Sequence, residues 1–273
     1  MDTLQTFWSA IPWLPLLGGL SGLWLLGNLF TGPMQHLFIF RPTTFPLDHV
    51  YQHPLPFTEH WIDTPHGGQL NALYFSLSGK AKGTVLFFHG NAGTLDRWGA
   101  TYTLLHEAGY HLLIYDYRGY GKSTGYRNQE RLYQDAEAMY DWLRQRETPE
   151  RIVLYGRSMG STFACRVAAT RSCRLLILET PFSSMRDLFY SYYPFLPPVF
   201  RFKYRFPSRR YLEKVEAPVV VFQGTRDFIV PYRNARKLIG ALKSGDRFVK
   251  IEGGGHRDLS SFERFQQILR KVL

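Results

Sequence analysis

Short apolar runs alternate with amphipathic segments from about residue 57 onward, and this alternation predicts an α/β domain. Runs at residues 84–88, 111–115, 151–155, 175–178, 217–222 and 247–251 are typical of strands in a buried parallel sheet. Amphipathic or small-residue segments at 95–108, 129–146, 161–169, 232–242 and 259–273 predict helices between those strands. The sequence therefore predicts a mostly parallel sheet with helices on both faces.

Two further segments modify this pattern. Residues 57–63 and 69–77 alternate apolar and polar side chains around a Pro65-His66-Gly67-Gly68 turn, which predicts an antiparallel hairpin at the sheet edge. Residues 181–216 separate two core strands and are too long for a simple connection, so an inserted lid is expected there. The lid interleaves aromatic residues with arginine and lysine. These aromatics either simply cover the sheet, with the cations solvated, or place the lid at lipid headgroups.

The first 35 residues form a different kind of segment. Residues 3–40 contain no charged side chain apart from a protonatable His36, and residues 7–30 are apolar and long enough to cross a bilayer. A signal peptide or a buried helix are the competing interpretations. The stretch lacks a basic n-region, is too long for an h-region and has no clear A-x-A site, so an uncleaved anchor is favoured.

These boundaries predict a membrane anchor at 1–35, a proline-rich connector at 36–56 and one globular domain at 57–273. The first basic residue after the anchor is Arg41, so counting basic flanks places the globular domain on the cytoplasmic side. A large domain can nevertheless be translocated regardless of such charges. The net charge of +11 over 273 residues favours contact with anionic surfaces such as phospholipid headgroups. No nucleic-acid partner is predicted.

The strongest chemical signal is Gly156-Arg157-Ser158-Met159-Gly160, which lies between a predicted buried strand and a predicted helix. A G-x-S-x-G pentapeptide in this context places its serine on a sharp strand-to-helix turn, with the hydroxyl exposed at the carboxyl end of the strand. The glycines avoid the steric clashes that side chains would cause in such a turn. Ser158 is therefore the candidate nucleophile.

A serine nucleophile needs a base and an acid that orients the base. His256 is the only histidine after Ser158 and follows the last strand in a Gly253-Gly254-Gly255 loop. Asp227 follows the strand predicted at 217–222, which gives the chain order Ser, Asp, His of nucleophile-elbow enzymes. Glu179 is the alternative acid, whereas Asp258 is too close to His256 in sequence to orient it easily.

An acyl-transfer site also needs two backbone N–H groups for the oxyanion. Met159 follows the nucleophile and supplies one candidate; the turn after residues 84–88 supplies the other, with Asn91 first and Ala92 second. His89 and Gly90 are interpreted as shaping that turn. Residues 116–123 match neither a phosphate loop nor a dinucleotide fingerprint, so Asp116, Arg118 and Ser123 are interpreted as structural. Neither a cofactor nor a metal is predicted.

The motifs at 89–93, 115–123 and 156–160, with Asp227 and His256, resemble the α/β-hydrolase superfamily over residues 57–273. Within it they are similar to membrane-anchored bud-emergence-like serine hydrolases and serine aminopeptidase-like hydrolases. The resemblance implies an α/β-hydrolase fold and hydrolysis of esters or thioesters of acyl, lipid-like substrates through an acyl-enzyme. Two alternatives remain open at this point: a serine aminopeptidase-like peptidase and a non-catalytic scaffold that kept the fold.

Overall fold

The computed structural model describes residues 14–101 and 103–273, and these contain one eight-stranded sheet. The strands lie in the order β1-β2-β4-β3-β5-β6-β7-β8. The first hairpin is antiparallel and joins β4 in antiparallel register, while every pair from β4 to β8 is parallel. The strands are β1 Phe57–Asp63, β2 Gln69–Phe75, β3 Gly83–Phe88, β4 Tyr110–Tyr115, β5 Ile152–Arg157, β6 Leu175–Glu179, β7 Val219–Gly224 and β8 Arg247–Ile251.

Helices cover both faces of this sheet, and the predicted α/β-hydrolase fold is confirmed. The α-helices are Leu14–Thr31, Gln35–Ile39, Leu95–Thr101, Thr103–Glu107, Gln129–Arg144, Gly160–Ala168, Met185–Tyr192, Ser208–Leu212, Tyr232–Ala235 and Glu263–Val272. The helix predicted at 232–242 is shorter than expected: it continues from residue 236 as a 3-10 turn. A glycine at position 240 disfavours the α-helical continuation.

The central strands are buried on both faces because their alternate side chains enter two different cores. Leu86 and Leu154 belong to one apolar cluster, whereas their neighbours Val85 and Val153 belong to the other. Every residue of β3, β5, β6 and β7 is buried. The near-continuous apolar runs in the sequence therefore reflect a sheet that is covered on both sides.

The parallel register brings the carboxyl ends of four strands to one edge of the sheet. β3 leads into the turn that holds Asn91, β5 into Ser158, β7 into Asp227 and β8 into His256. Ligand sites of open α/β sheets lie at this edge. The topology thus gathers the candidate residues, which are far apart in sequence.

The N-terminal helix (Leu14–Thr31) presents an apolar surface to the outside. Leu20, Leu25 and Leu26 are 55%, 60% and 67% exposed, and the following residues Leu37 and Phe38 are also exposed. Residues 1–13 of the predicted anchor lie outside the described residues. Within the part that is described, no helix combines the length and apolarity needed to cross a bilayer.

The connector and the lid both contact the domain near the carboxyl edge. Arg41 N–H donates to the carbonyl oxygen of Asn91 at 3.0 Å, and Phe45 N–H donates to that of Gly121 at 2.8 Å. In the segment predicted as a lid, the helix Met185–Tyr192 (the lid helix) begins after Ser184, whose hydroxyl accepts from Asp187 N–H at 3.0 Å. The Tyr192 hydroxyl at the end of the lid helix donates to the carbonyl oxygen of Ile229, in the loop after β7, at 2.8 Å. The connector and the lid helix therefore both lie beside the edge where the candidate site is.

Candidate active site

Ser158 lies on a sharp turn between β5 and the helix Gly160–Ala168, the elbow helix. Its φ angle is +52°, in the left-handed region that residues with a Cβ rarely adopt. The turn is fixed because Ser158 N–H donates to the carbonyl oxygen of Glu179 at 2.9 Å. A Cβ atom on Gly156 would stand 2.5 Å from the Ser161 Cα, so only glycine fits there. The strained turn leaves Ser158 lining a cavity above the sheet.

The loop after β8 brings His256 to this serine. His256 Nε2 lies 2.9 Å from Ser158 Oγ, within hydrogen-bond distance. The loop turns at Gly253, where φ is +74°, and Gly255 N–H donates to Asp258 Oδ1 at 2.7 Å. Asp258 therefore shapes the loop that carries His256.

Asp227 lies on the other side of the imidazole. Its Oδ2 atom is 2.8 Å from His256 Nδ1, and its Oδ1 atom accepts from Ile229 N–H at 2.8 Å and from Val230 N–H at 2.7 Å. The residue is 4% exposed, and its carboxylate is fully buried. Backbone donors thus hold its orientation toward the imidazole, which leaves His256 Nε2 facing the serine hydroxyl.

Two residues that sequence reasoning missed hold this arrangement. Gln223, fully buried on β7, donates from Nε2 to Asp227 Oδ2 at 3.1 Å and to the carbonyl oxygen of Val230 at 2.9 Å. Arg157 Nη2 donates to the carbonyl oxygen of His256 at 3.2 Å. The sequence contains one signal that could have identified Gln223: it is a polar residue at the end of an otherwise apolar strand, just before the loop that contains Asp227.

Glu179, the alternative acid, makes other contacts. Its Oε2 atom accepts from the Tyr155 hydroxyl at 2.6 Å, and its Oε1 atom lies 3.3 Å from Arg157 Nε. The carboxylate is buried, with 1% of the residue exposed. Glu179 therefore holds Arg157, which in turn contacts the backbone of His256.

The three residues proposed from the sequence for an oxyanion hole, Met159, Asn91 and Ala92, all line the cavity that Ser158 lines. Met159 precedes the first residue of the elbow helix, where the amides lack intrahelical acceptors.

The turn that contains Asn91 and Ala92 is held by hydrogen bonds to its carbonyl groups. The carbonyl oxygen of Asn91 accepts from Arg41 N–H at 3.0 Å and from the Tyr120 hydroxyl at 2.9 Å. That of Ala92 accepts from Trp98 Nε1 at 2.9 Å. The backbone of this turn is therefore held rigidly beside the serine.

His89 and Asp116 lie beneath the turn, not in the cavity. Both are fully buried, and His89 Nε2 lies 3.5 Å from Asp116 Oδ1. Burial raises the pKa of Asp116, while the contact with His89 opposes that rise. The Tyr117 hydroxyl donates to the carbonyl oxygen of His89 at 2.6 Å. These contacts support the turn from below.

The cavity above Ser158 has a volume of about 370 Å³ and a mainly apolar lining. The lid contributes Phe182, Met185, Leu188, Phe189, Tyr192, Tyr193 and Phe202, and the N-terminal region contributes Phe30, Thr31, Gln35, Phe38 and Ile39. Its charged lining residues are Arg41 and Arg257. No carboxylate lines it among the residues that the structure describes.

Known protein families and structures resemble this chain. The family model described as serine aminopeptidase, S33 matches residues 79–211, and the TAP-like protein model matches residues 200–264. The uncharacterized protein Rv2307c of Mycobacterium tuberculosis is 34% identical over 200 residues, covering 72% of this chain and 71% of that protein. Alpha/beta hydrolase domain-containing protein 17C of Xenopus tropicalis is 31% identical over 214 residues, covering 77% of this chain and 67% of that protein.

Among solved structures, the Pyrococcus furiosus esterase Pf2001 superimposes with a TM-score of 0.66 at 18% identity, covering 86% of this chain and 98% of that one. An alpha-beta serine hydrolase homologue from Coxiella burnetii superimposes with a TM-score of 0.63 at 22% identity, covering 81% of this chain and 100% of that one. At these identities the likeness concerns the fold.

Proposed function

This chain belongs to the α/β-hydrolase superfamily, and from that membership we propose that it is a membrane-anchored serine hydrolase. It would cleave carboxylic ester or thioester bonds of acyl, lipid-like substrates through an acyl-enzyme. The observation that carries the proposal is the hydrogen-bonded series Ser158, His256 and Asp227, with contacts of 2.9 and 2.8 Å. Those distances suit proton transfer from serine to imidazole.

In the proposed mechanism, Ser158 Oγ attacks the acyl carbonyl carbon while His256 Nε2 takes the hydroxyl proton. Asp227 accepts the Nδ1 hydrogen bond, holds the required tautomer and stabilises the imidazolium. The tetrahedral intermediate collapses, and His256 gives the proton to the leaving alcohol or thiol. Water, deprotonated by His256, then attacks the acyl-enzyme, which releases the carboxylic acid and returns the proton to Ser158.

The negative charge on the carbonyl oxygen would be stabilised by backbone N–H groups. Met159 is assigned one of them and Asn91 the other, with Ala92 as the alternative in the same turn. The positive end of the elbow helix dipole lies beside Met159 and favours the same charge.

The lining of the cavity favours an acyl group over a free amine. A peptidase that binds a substrate's terminal ammonium needs a carboxylate near the serine, and no carboxylate lines the cavity among the described residues. The description of the matching family model nevertheless makes an aminopeptidase the second candidate. A non-catalytic scaffold is the third, and the nearby candidate base and acid argue against it.

Labelling and turnover assays test the proposal together. A fluorophosphonate probe should label the native protein, but not the heated protein or the Ser158→Ala variant. That substitution should lower kcat by about 10⁴-fold or more while the thermal unfolding transition stays in place. p-Nitrophenyl esters, acyl-thioesters and aminoacyl anilides compared side by side distinguish the two enzyme candidates. A Ser158→Ala protein that keeps most of its activity would refute the assignment.

The membrane part of the proposal rests on exposed apolar and basic surfaces. The N-terminal helix carries several leucines that are about half exposed or more. A groove of about 820 Å³ is formed by lid residues, among them Arg186, Arg201, Arg205, Arg209 and Arg210. Because Arg201 N–H bonds to Asn28 Oδ1 near the end of that helix, at 3.0 Å, the groove would lie at headgroup depth if the helix entered a bilayer.

Fractionation and vesicle binding test this part. The full chain should stay with membranes after a high-salt wash, and a chain without its first 35 residues should be released by that wash; a soluble full chain would refute anchoring. Binding of that shortened chain to phosphatidylglycerol vesicles should weaken in Arg205→Gln/Arg210→Gln more than in the equally charged control Arg247→Gln/Arg270→Gln. The number of basic flanks favours a cytoplasmic catalytic domain, which protease protection of sealed vesicles would check.

A further inference from the structure

We propose that the end of the N-terminal helix forms part of the binding site for the substrate's acyl chain. This inference rests on the proposed serine hydrolase function. Phe30 and Thr31 at the end of this helix line the cavity together with Phe38 and Ile39 of the connector, with residues of the lid helix and with Ser158. A fatty acyl chain esterified at the serine would therefore contact both the lid and the end of a segment that sequence alone assigns to anchoring.

Three polar side chains hold this segment against the lid. Asn28 Oδ1 accepts from Arg201 N–H at 3.0 Å, and Thr31 Oγ1 donates to the carbonyl oxygen of Arg201 at 2.7 Å. Gln35 Nε2 donates to the carbonyl oxygen of Tyr204 at 3.0 Å, and Gln35 Oε1 accepts from Tyr204 N–H at 2.7 Å. Asn28 and Thr31 are three positions apart and share one face of the N-terminal helix, whereas Gln35 begins the next helix, Gln35–Ile39. Thr31 and Gln35 are buried, with exposures of 1% and 6%.

A close packing contact joins the same two segments. A Cβ atom on Gly27 would stand 2.1 Å from the ring of Phe200. The Phe200 ring centroid lies 5.9 Å from that of Phe189, which lines the cavity. The absence of a side chain at Gly27 thus sets how closely the lid aromatics approach the helix, and through Phe189 it affects the shape of the cavity.

The open side of the cavity is apolar. Phe30 and Phe38 are 39% and 50% exposed, line the cavity and pack against each other with centroids 4.3 Å apart. They adjoin the exposed leucines of the N-terminal helix. An acyl chain could pass from a bilayer around that helix to the serine without crossing water, which is the favourable path for an apolar group.

The matched pair Gly27→Ala and Gly22→Ala tests this inference in the full-length chain. Both substitutions place alanine in the same helix, where alanine is favourable, but no atom lies within 4 Å of the Cβ position at Gly22. Gln35→Ala is the second test variant, because it removes both bonds to Tyr204. The readout is the ratio of kcat/KM for p-nitrophenyl octanoate to that for p-nitrophenyl acetate.

The ratio should fall about tenfold in Gly27→Ala and in Gln35→Ala, as expected when a few methylene contacts are lost, and should keep its native value in Gly22→Ala. An unchanged ratio in both test variants, or a parallel loss on both esters, would overturn the role of the helix in acyl binding. Neither result would touch the serine assignment, which depends on fluorophosphonate labelling and on Ser158→Ala.

Discussion

Gly160 packs directly against the carbonyl group of Phe88: a Cβ atom on Gly160 would stand 1.9 Å from the Phe88 oxygen. Phe88 ends β3 and leads into the turn with Asn91, whereas Gly160 begins the elbow helix next to Met159. The contact therefore sets the separation of the two backbone segments that are proposed to bind the oxyanion. Because the neighbouring atom is backbone, it cannot move aside easily.

Gly160→Ala should consequently impair catalysis by moving the two N–H groups apart. Displacing one oxyanion donor costs about 10²- to 10³-fold in kcat, and we expect a loss of at least about 10²-fold. The assay is p-nitrophenyl butyrate hydrolysis, with circular dichroism as the check on folding. Gly79→Ala is the matched control, since no atom lies within 4 Å of its Cβ position. Native turnover in Gly160→Ala would contradict the proposed geometry.

Asp227→Asn should lower kcat by about 10⁴-fold, because an amide facing Nδ1 stabilises the wrong tautomer of His256. The fold should persist, since the side-chain oxygen of asparagine can still accept from Ile229 and Val230 N–H. Steady-state kinetics and thermal unfolding give the two readouts.

Glu179→Gln serves as the comparison for the acid assignment. Its carboxylate contacts Tyr155 and Arg157, so we expect a loss of less than about tenfold in kcat, as for a positioning residue that lies away from the proton transfer. The opposite outcome would be a loss of about 10⁴-fold in Glu179→Gln and a small loss in Asp227→Asn. It would identify Glu179 as the acid.

The fold could be predicted because its signals are local. Apolar runs, glycine-bounded turns and the alternation of strands and helices lie within windows of about 10–18 residues. The candidate triad residues also had local signals, since Ser158, Asp227 and His256 each follow a predicted strand. Parallel strands that end at one edge bring such residues together, whatever their separation in sequence.

Other features depended on contacts between distant segments. Arg157 occupies a variable position of the pentapeptide, and only the folded loop brings the carbonyl oxygen of His256 to it. Likewise, the bonds from Asn28, Thr31 and Gln35 to residues 201–204 join segments about 170 positions apart. The lack of charged residues identified the N-terminal stretch as apolar, but it could not reveal that its end lines the cavity.

Arg157→Met should destabilise the protein because it removes a cation from the buried carboxylate of Glu179. Breaking one partner of a buried ion pair costs about 3–5 kcal/mol, which urea denaturation would measure as a lower midpoint at an unchanged slope. The double variant Arg157→Met/Glu179→Gln should recover part of that loss, because no buried charge is then left without its partner. Equal destabilisation in the single and double variants would show that packing, not charge, explains the effect.

The stability of the protein should depend on pH through Asp187, a carboxylate of the lid. Burial alone would raise the pKa of this carboxyl, but hydrogen bonds from Lys237, Ser184 and Ser183 outweigh it and leave the pKa below its ordinary value. A lowered pKa in the folded state means that the unfolded chain binds the proton more readily. The stabilisation is therefore complete above the ordinary aspartate pKa and is lost as the pH falls through the folded value.

Asp187→Asn should remove this dependence. Between pH 7 and about pH 3, thermal stability of the native chain should fall more than that of the variant, and the two curves should converge at the acid end. Since Asp187 and Lys237 are partly exposed, at 38% and 45% of their side chains, salt should reduce the difference. Asp141→Asn is the control, because its exposed pair with Arg171 lies outside the lid. Parallel curves for the native chain and Asp187→Asn would contradict a role for this carboxylate in holding the lid.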